Sequence, residues 1–424
     1  MSVHEKCELL HDIISKALSV IPFTYVRFSN KDKPWITPVV KSLINRRYQA
    51  FRSRNYVLYH HYKMKVKKAI EKAKENWTTA NITSFNGVWK IANNVANKNK
   101  SNTLTKLIQT FDSPTIAANA INTKIQESFT TSPNWPEVLS SIPDCSNDWS
   151  PDVNACEVLK MLLSLKENKS SGSDQLPPRL LKAAAYELAQ PLTHVIALSF
   201  ESRAVPNKWK TAKVIPIPKK KRPLINDLRP ISILPIFSKI LEKFAVDSVS
   251  DSLIAMYGTN QYGFRPHSST TCAHLNIHDT ITRTLEDQYV KGVIVISFDL
   301  KKAFDSLKHA HLIKSLIRGQ LPSMFLEWLV SYLQGRYQFV CLNNYFLSDM
   351  IPVTSGVPQG SVIAPFLFAA HMGSLKPFDS RTIMTKYADD IVSIIPVNDL
   401  TEVERLISNE INHVNGWCIQ HGLN

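Results

Sequence analysis

The sequence predicts an α+β fold in which a mainly helical, basic N-terminal region precedes an antiparallel sheet. Residues 37–81 contain no glycine, and their one proline, Pro38, lies at the start, where a helix accepts it. β-rich runs occur later in the chain, at residues 293–298 and 391–395. The second run and Ile383-Met384 flank a short polar tip, which is the pattern of a hairpin.

Three carboxylates stand at the ends of these strand patterns. Asp389 and Asp390 form the tip of the predicted hairpin, and Asp299 ends the run at 293–298. Converging carboxylates suit Mg²⁺, which shares its oxygen coordination with substrate phosphates, and two such ions about 4 Å apart can bind the attacking and leaving oxygens of a phosphoryl transfer. The pattern therefore predicts a nucleotide polymerase palm with Mg²⁺, or Mn²⁺, as cofactor. Taken alone, an Asp pair is also common in turns, because Asp tolerates turn geometry.

Composition limits the class of protein and its partners. The chain of 424 residues is 44% hydrophobic and 20% charged, which is typical of a globular protein of two or three units. Its formal charge of +15 indicates a polyanionic partner. We find no run of membrane-spanning length and no signal peptide, and the six cysteines lack metal-ligand spacing. We therefore expect an intracellular, non-secreted protein of nucleus or cytoplasm, with reduced thiols, no membrane contact and no zinc site.

The positive charge is concentrated in one segment. Between Lys41 and Lys74 there are eleven lysines and arginines and a single acid, Glu71. Such a one-sided run repels itself unless phosphates neutralise it, so we expect it to contact a nucleic-acid backbone. Aromatic residues are interleaved with these bases, and we expect them to form an apolar stripe that packs into the core.

A second basic cluster, residues 219–222, lies between two predicted strands and begins with Lys219. Such a cluster can be a nuclear import signal, a solvated loop or a contact to triphosphate or template. Arg229, which precedes the rigid Pro230, is the stronger candidate for a phosphate contact.

Two further candidates are identified by their positions near the carboxylates. Phe304 comes five residues after Asp299, where a bulky ring can occupy the space of a ribose 2′-hydroxyl and so select deoxynucleotides. The alternative is a plain core residue, with Asp305 as the N-terminal acid of a helix. Gln359 lies in a loop of small residues that allows its backbone and side chain to approach a base pair.

At this point the pattern resembles the reverse transcriptases of non-LTR (LINE-type) retrotransposons. The resemblance covers residues 155–424 and rests on five ordered motifs with one leading motif, Lys169-Ser170-Ser171-Gly172-Ser173-Asp174. The five are Arg229-Pro230-Ile231-Ser232, Gln261-x-Gly263-Phe264-Arg265-Pro266, Phe298-Asp299-x-x-x-Ala303-Phe304-Asp305, Gly356-Val357-Pro358-Gln359-Gly360-Ser361 and Tyr387-Ala388-Asp389-Asp390. Jointly they are far more specific than any one alone.

The resemblance implies a right-hand polymerase with fingers and palm. It implies that Asp299, Asp389 and Asp390 bind the metal ions, that Phe304 is the ribose gate, and that Gln359 and Arg229 contact the incoming nucleotide. The implied reaction joins a primer 3′-hydroxyl to a dNTP, with an RNA template and a DNA primer as partners.

The expected domains are a helical basic region at 1–100, a Ser/Thr/Asn/Pro-rich connector at 101–154, fingers at 155–290 and palm at 291–424. The basic region resembles the linker that joins these polymerases to an upstream endonuclease. We expect no endonuclease, thumb or lysine-bearing motif within this chain, since in the family the thumb comes after the palm.

Two other interpretations remain open. A truncated, inactive relic would bind RNA or DNA without catalysis. An RNA-dependent RNA polymerase is disfavoured by Phe304 and by Ala388, where such enzymes would carry a polar residue and a glycine. The sequence does not determine the template or the oligomeric state.

Overall fold

The computed structural model describes residues 1–20, 35–81, 103–144, 149–220, 222–343 and 345–423. The chain divides into two compact units, one of Leu18–Thr103 and one of Met1–Ala17 with Leu104–Asn424. Parts of the predicted regions 1–100 and 101–154 lie outside the described residues, as do Lys221 and Asn344. No helix in the described ranges is long and apolar enough to cross a membrane.

The secondary structure alternates helices with two small sheets. The helices, in chain order, are α1 (Val3–Val20), α2 (Pro38–Arg52), α3 (Tyr56–Asn81), α4 (Thr103–Ile108), α5 (Pro114–Gln126), α6 (Trp135–Ser140), α7 (Ala155–Leu163), α8 (Pro178–Ala183), α9 (Ala185–Glu201), α10 (Ile236–Asp247), α11 (Ser250–Met256), α12 (Thr270–Glu286), α13 (Ala303–Ser306), α14 (His309–Arg318), α15 (Ser323–Leu333), α16 (Ala364–Met372) and α17 (Val403–His421). The strands are β1 (Thr211–Pro218), β2 (Leu228–Ile233), β3 (Gly292–Asp299), β4 (Arg336–Leu342), β5 (Phe346–Leu347), β6 (Ile351–Val353), β7 (Ile383–Tyr387) and β8 (Asp390–Val397).

The basic segment forms two helices where the sequence predicted one long helical pattern. Thr37 caps α2 by accepting a hydrogen bond from the backbone N–H of Val40, and the helix ends before Arg54, whose φ is +53°. All lysines and arginines of the segment except Arg47 are exposed.

The aromatic residues of the basic segment do not form the expected core stripe. Tyr48, Phe51 and Tyr56 are more than half exposed, and Arg52 lies over the ring of Tyr48 at 5.7 Å. The reason is that the packing of α2 with α3 fully buries only small or short side chains, such as Val40. The other rings of the segment are half-buried: Tyr59, Tyr62 and Trp77.

The first sheet has the strand order β2-β1-β4-β5, with β6 also paired to β4. In it β1 runs parallel to β4, while the other pairs are antiparallel. The second sheet has the order β3-β8-β7 and is antiparallel throughout, as predicted for the sheet that carries the carboxylates.

The predicted connector at 101–154 contributes to the core of the larger unit. In α5, Ala117, Ile121 and Ile125 occupy one helix face at four-residue spacing and are buried against Val214 of β1 and Val340 of β4. From Leu104 onward the chain belongs to the larger compact unit, so the structure does not separate this segment from the later part of the chain. The segment is polar in overall composition, so its composition did not indicate the apolar face of α5.

Helix α1 also packs with the larger unit, although the sequence grouped residues 1–100 together. Cys7, Leu10 and Ile14 form its buried face. His11 accepts a hydrogen bond from the indole N–H of Trp209 at 3.1 Å, with both side chains buried. This long-range contact was not visible in local sequence.

Gly172 provides a test of the loop at 169–174. A Cβ at Gly172 would lie 2.6 Å from the backbone nitrogen of Pro235, which cannot move away as a flexible side chain could. Gly172→Ala should therefore lower the free energy of unfolding by roughly 1–3 kcal/mol, measured by denaturant titration.

The matched control is Gly416→Ala in α17, where a Cβ would meet no atom within 4 Å. Because alanine favours a helix interior over glycine, this variant should be about 0.5–1 kcal/mol more stable than the wild type. Equal unfolding midpoints for the two variants would contradict the close packing of the loop.

Candidate active site

One cleft of about 610 Å³ collects most of the residues that the sequence singled out. Six of the seven predicted site residues line it: Lys219, Arg229, Asp299, Phe304, Gln359 and Asp389. The seventh, Asp390, is the cross-strand partner of Asp299 at the start of β8. Residues far apart in sequence therefore share one concave surface.

The three carboxylates are brought together by the register of the second sheet. Asp299 ends β3 opposite Asp390, and Tyr387 of β7 pairs with Asp390 across the hairpin. The turn between β7 and β8 thus consists of Ala388 and Asp389, and Ala388 has a φ of +57°, which is uncommon for a residue with a Cβ.

Electrostatic repulsion acts on Asp389. Burial raises the pKa of its carboxyl group, and the neighbouring charges of Asp390 and Asp299 raise it further, while Arg229 lowers it. The three carboxylates and Arg229 are therefore close enough to interact electrostatically. Within the described ranges, however, no three His, Cys, Asp or Glu side chains are arranged to hold a metal ion.

Phe304 lies in a cluster of rings at the edge of the cleft. It stacks on Phe368 of α16 with ring centroids 4.6 Å apart, and the ring of Phe264 meets it edge-on at 6.2 Å. Phe304 keeps part of its surface exposed and lines the cleft, so it is held on one side and presented to the cleft on the other.

The loop that carries Gln359 is held against β2. The backbone N–H of Ser232 donates to the carbonyl oxygen of Gln359 at 2.8 Å. Gly360 has a φ of +130°, and a Cβ there would lie 2.3 Å from the carbonyl oxygen of Ser232. This contact therefore requires glycine and fixes the loop beside the cleft.

Comparison with known proteins identifies the family of the C-terminal part of the chain. The family model for reverse transcriptase (RNA-dependent DNA polymerase) matches residues 217–424. Residues 217–424 are a reverse transcriptase domain. Such a domain has the fingers-and-palm fold with mixed helices and strands, so the predicted fold is confirmed at that level. The predicted division at residue 290 stays a prediction.

The relatives are polymerases of mobile elements. The chain is 26% identical over 316 residues to the probable RNA-directed DNA polymerase from transposon BS of Drosophila melanogaster, covering 71% of this chain and 34% of that protein. It is 28% identical over 245 residues to the corresponding probable polymerase from transposon X-element of the same organism, covering 56% and 26%. The chain therefore spans about a third or less of these relatives, and the resemblance to non-LTR retrotransposon reverse transcriptases is confirmed.

Among solved structures, the chain is similar to apo telomerase from Candida tropicalis. The two are 12% identical with a TM-score of 0.37, and the match covers 47% of this chain and 40% of that one.

A buried carboxylate that the sequence reasoning missed supports the Gln359 loop of the reverse transcriptase domain. Glu242 in α10 is fully buried, and it accepts hydrogen bonds from the backbone N–H of Val362, at 2.5 Å, and from the hydroxyls of Ser238 and Tyr332. Burial raises the pKa of Glu242, while these donors and the charge of Arg336 lower it. No feature of the local sequence distinguishes Glu242 from a solvent-exposed acidic residue of a helix.

The cleft also contains residues that the sequence did not identify as site residues. Asp305 lines the cleft, where burial raises the pKa of its carboxyl group to about 6 and the charges of Lys302 and Lys219 lower it in part. Lys124 of α5 also lines the cleft, although it belongs to the predicted connector. Phe264 could have been found, because it stands within one of the five motifs.

Asp305 gives the reverse transcriptase domain a specific pH dependence. Its folded pKa of about 6 exceeds the ordinary 3.8, so the folded state binds more protons between these values and the contribution of Asp305 to stability falls as pH rises through them. Asp305→Asn should therefore be more stable than the wild type at about pH 8, by up to roughly 3 kcal/mol, and the difference should vanish below about pH 3.

The measurement is denaturant unfolding of both proteins across this pH range. The control is Asp251→Asn, which removes the carboxylate of an exposed aspartate in α11, outside the cleft. A stability gap between wild type and Asp305→Asn that does not change with pH would contradict the burial of a titrating carboxyl group.

Proposed function

We propose that this chain is an RNA-directed DNA polymerase module of a non-LTR retrotransposon. It would extend a DNA primer by attack of the primer 3′-hydroxyl on the α-phosphate of a dNTP, which breaks the bond to the β-phosphate and releases pyrophosphate, with RNA as template. The observation that carries the proposal is the single cleft that collects six predicted residues from both sheets and from the loops beside them. The similarity to polymerases of mobile elements supports it.

The metal ligands in this proposal are Asp299, Asp389 and Asp390. Their donor set consists of carboxylate oxygens, which suit Mg²⁺, with Mn²⁺ as an alternative. The raised pKa of Asp389 supports the assignment, because two neighbouring carboxylates contribute to it and a cation would relieve their repulsion. When bound, Mg²⁺ would stabilise negative charge on the reacting phosphate oxygens.

The remaining residues of the cleft would bind and orient the nucleotide. Arg229 and Lys219 are exposed cations that line the cleft, and they would bind the triphosphate. Phe304 would exclude a ribose 2′-hydroxyl, and Gln359 would contact the nucleotide beside the base pair. Holding the primer and nucleotide together in this way supplies most of the catalysis expected of a phosphoryl-transfer site.

Nucleic acid would contact further basic surfaces. In the unit of α2 and α3, considered by itself, ten of the eleven bases between Lys41 and Lys74 are exposed. An exposed helical surface of one charge sign favours phosphate backbones without regard to base sequence. We therefore assign non-specific binding of RNA or DNA to this unit.

Within the rest of the chain, we assign the fingers to residues 155–290 and the palm to residues 291–424.

The decisive test is primer extension on an RNA template with dNTPs and Mg²⁺. The wild type should extend the primer, and Asp389→Asn/Asp390→Asn should reduce the rate by roughly 100-fold or more, because the proposed metal ligands lose their charge. The control is Asp251→Asn/Asp399→Asn, which neutralises two exposed aspartates outside the cleft and should leave the rate unchanged.

Template binding should be measured on the same proteins. A wild type that binds the RNA template in a salt-dependent manner but does not extend the primer would reject the polymerase and favour the non-catalytic relic.

The ribose gate gives a second prediction. Phe304→Val should increase ribonucleotide incorporation relative to deoxynucleotide incorporation by about tenfold or more, because the smaller side chain admits a 2′-hydroxyl. The matched control is Phe366→Val in α16, since Phe366 does not line the cleft. If both variants leave the ratio of rNTP to dNTP use unchanged, Phe304 is not the gate.

A further inference from the structure

The turn that carries Asp389 is bordered by a short segment far from it in sequence. Residues 260–263 run parallel to the end of β7, with a bridge between Gln261 and Lys386. The backbone N–H of Lys386 donates to the carbonyl oxygen of Asn260, and the N–H of Tyr262 donates to the carbonyl oxygen of Lys386, each at 2.8 Å. The segment thus continues the sheet beyond its edge strand, next to the hairpin tip.

The side chain of Gln261 reaches the turn itself. Its Oε1 accepts hydrogen bonds from the backbone N–H of Ala388, at 3.2 Å, and of Gly263, at 2.9 Å. Gln261 is fully buried, so these bonds do not compete with solvent. A single amide oxygen therefore links the bordering segment to the hairpin tip.

The linked residue is the one with the uncommon backbone conformation. Ala388 has a φ of +57°, a region in which a Cβ lies close to the backbone and in which glycine is favoured. Such a conformation persists where the surrounding structure holds it. The next two residues are Asp389 and Asp390, so a change of φ at Ala388 would redirect both carboxylates.

The bordering segment approaches so closely because it contains Gly263. A Cβ at Gly263 would lie 2.3 Å from the backbone nitrogen of Ala388. The close approach of Gly263 and the hydrogen bond to Gln261 both involve the backbone N–H of Ala388. The hydrogen bond therefore depends on the space that Gly263 leaves by having no Cβ.

We propose that Gln261 is a positioning residue for the two aspartates of the hairpin. Its side-chain oxygen holds the N–H of Ala388, keeps that residue at positive φ and thereby orients Asp389 in the cleft and Asp390 beside Asp299. The catalytic consequence rests on the proposed polymerase function, whereas the structural consequence concerns the turn alone.

The kinetic test uses Gln261→Met, which keeps the length of the side chain and removes the acceptor. In primer extension at saturating Mg²⁺, kcat should fall by roughly 10- to 100-fold while the KM for dNTP changes by less than about threefold, because the aspartates are misplaced and the nucleotide contacts are not. Adding Ala388→Gly should recover at least about threefold of kcat, since glycine adopts positive φ without support.

The matched control is Gln338→Met. Gln338 is a second buried glutamine, on β4 in the other sheet, and its Nε2 donates to Asn122 at 3.0 Å. Because it does not contact the hairpin, its variant should retain the wild-type kcat even if it loses comparable stability.

A readout independent of activity is hydrogen–deuterium exchange of the peptide that contains Ala388. In Gln261→Met this peptide should exchange faster than in the wild type and in Gln338→Met, because the Ala388 amide has lost its acceptor. Unchanged exchange in Gln261→Met would overturn the proposal, as would equal losses of kcat in the two glutamine variants. If the wild type does not extend primers, the proposed function fails, and the exchange result still decides whether Gln261 holds the turn.

Discussion

The pairing of β3 with β8 is the constraint on which the candidate site depends. Asp299 lies directly opposite Asp390 in this pairing, and the hairpin from β7 to β8 then places Asp389 in the adjacent turn. Alternate residues of a strand face opposite sides of the sheet, so a slip of one residue would turn Asp299 away from the pair. The apolar residues Ile391, Ile395 and Val397 are buried on one face of β8 and oppose such a slip.

This register places like charges together, which opposes folding. The cost is visible in the raised pKa of Asp389, whose causes include burial and the charges of Asp390 and Asp299. Arg229 acts in the opposite direction from β2, a strand of the other sheet. The cleft is therefore lined both by carboxylates of the second sheet and by cations such as Arg229 and Lys219, a combination suited to binding metal cations and phosphates side by side.

The backbone around the cleft is held by polar contacts between distant segments. Glu242 in α10 accepts from the N–H of Val362, three residues after Gln359, and Gln261 accepts from the N–H of Ala388. Both acceptors are fully buried, where an unpaired polar group would be costly. The loops of Gln359 and Asp389 are therefore held by side chains that do not themselves line the cleft, which explains how residues in turns can keep fixed positions.

The sequence by itself determined the strand patterns, the predicted site residues and the likeness to reverse transcriptases, because local periodicity and ordered motifs are encoded within short stretches. Sequence reasoning did not find the core role of α5, the desolvated carboxyl group of Asp305 or the supports at Glu242 and Gln261. Each of these depends on a contact between residues far apart in the chain, and the burial that makes Glu242 a structural carboxylate, not a surface one, exists only after folding. Only the tertiary structure therefore decided which polar residues line the cleft and which are buried behind its loops, because burial depends on contacts that form only on folding.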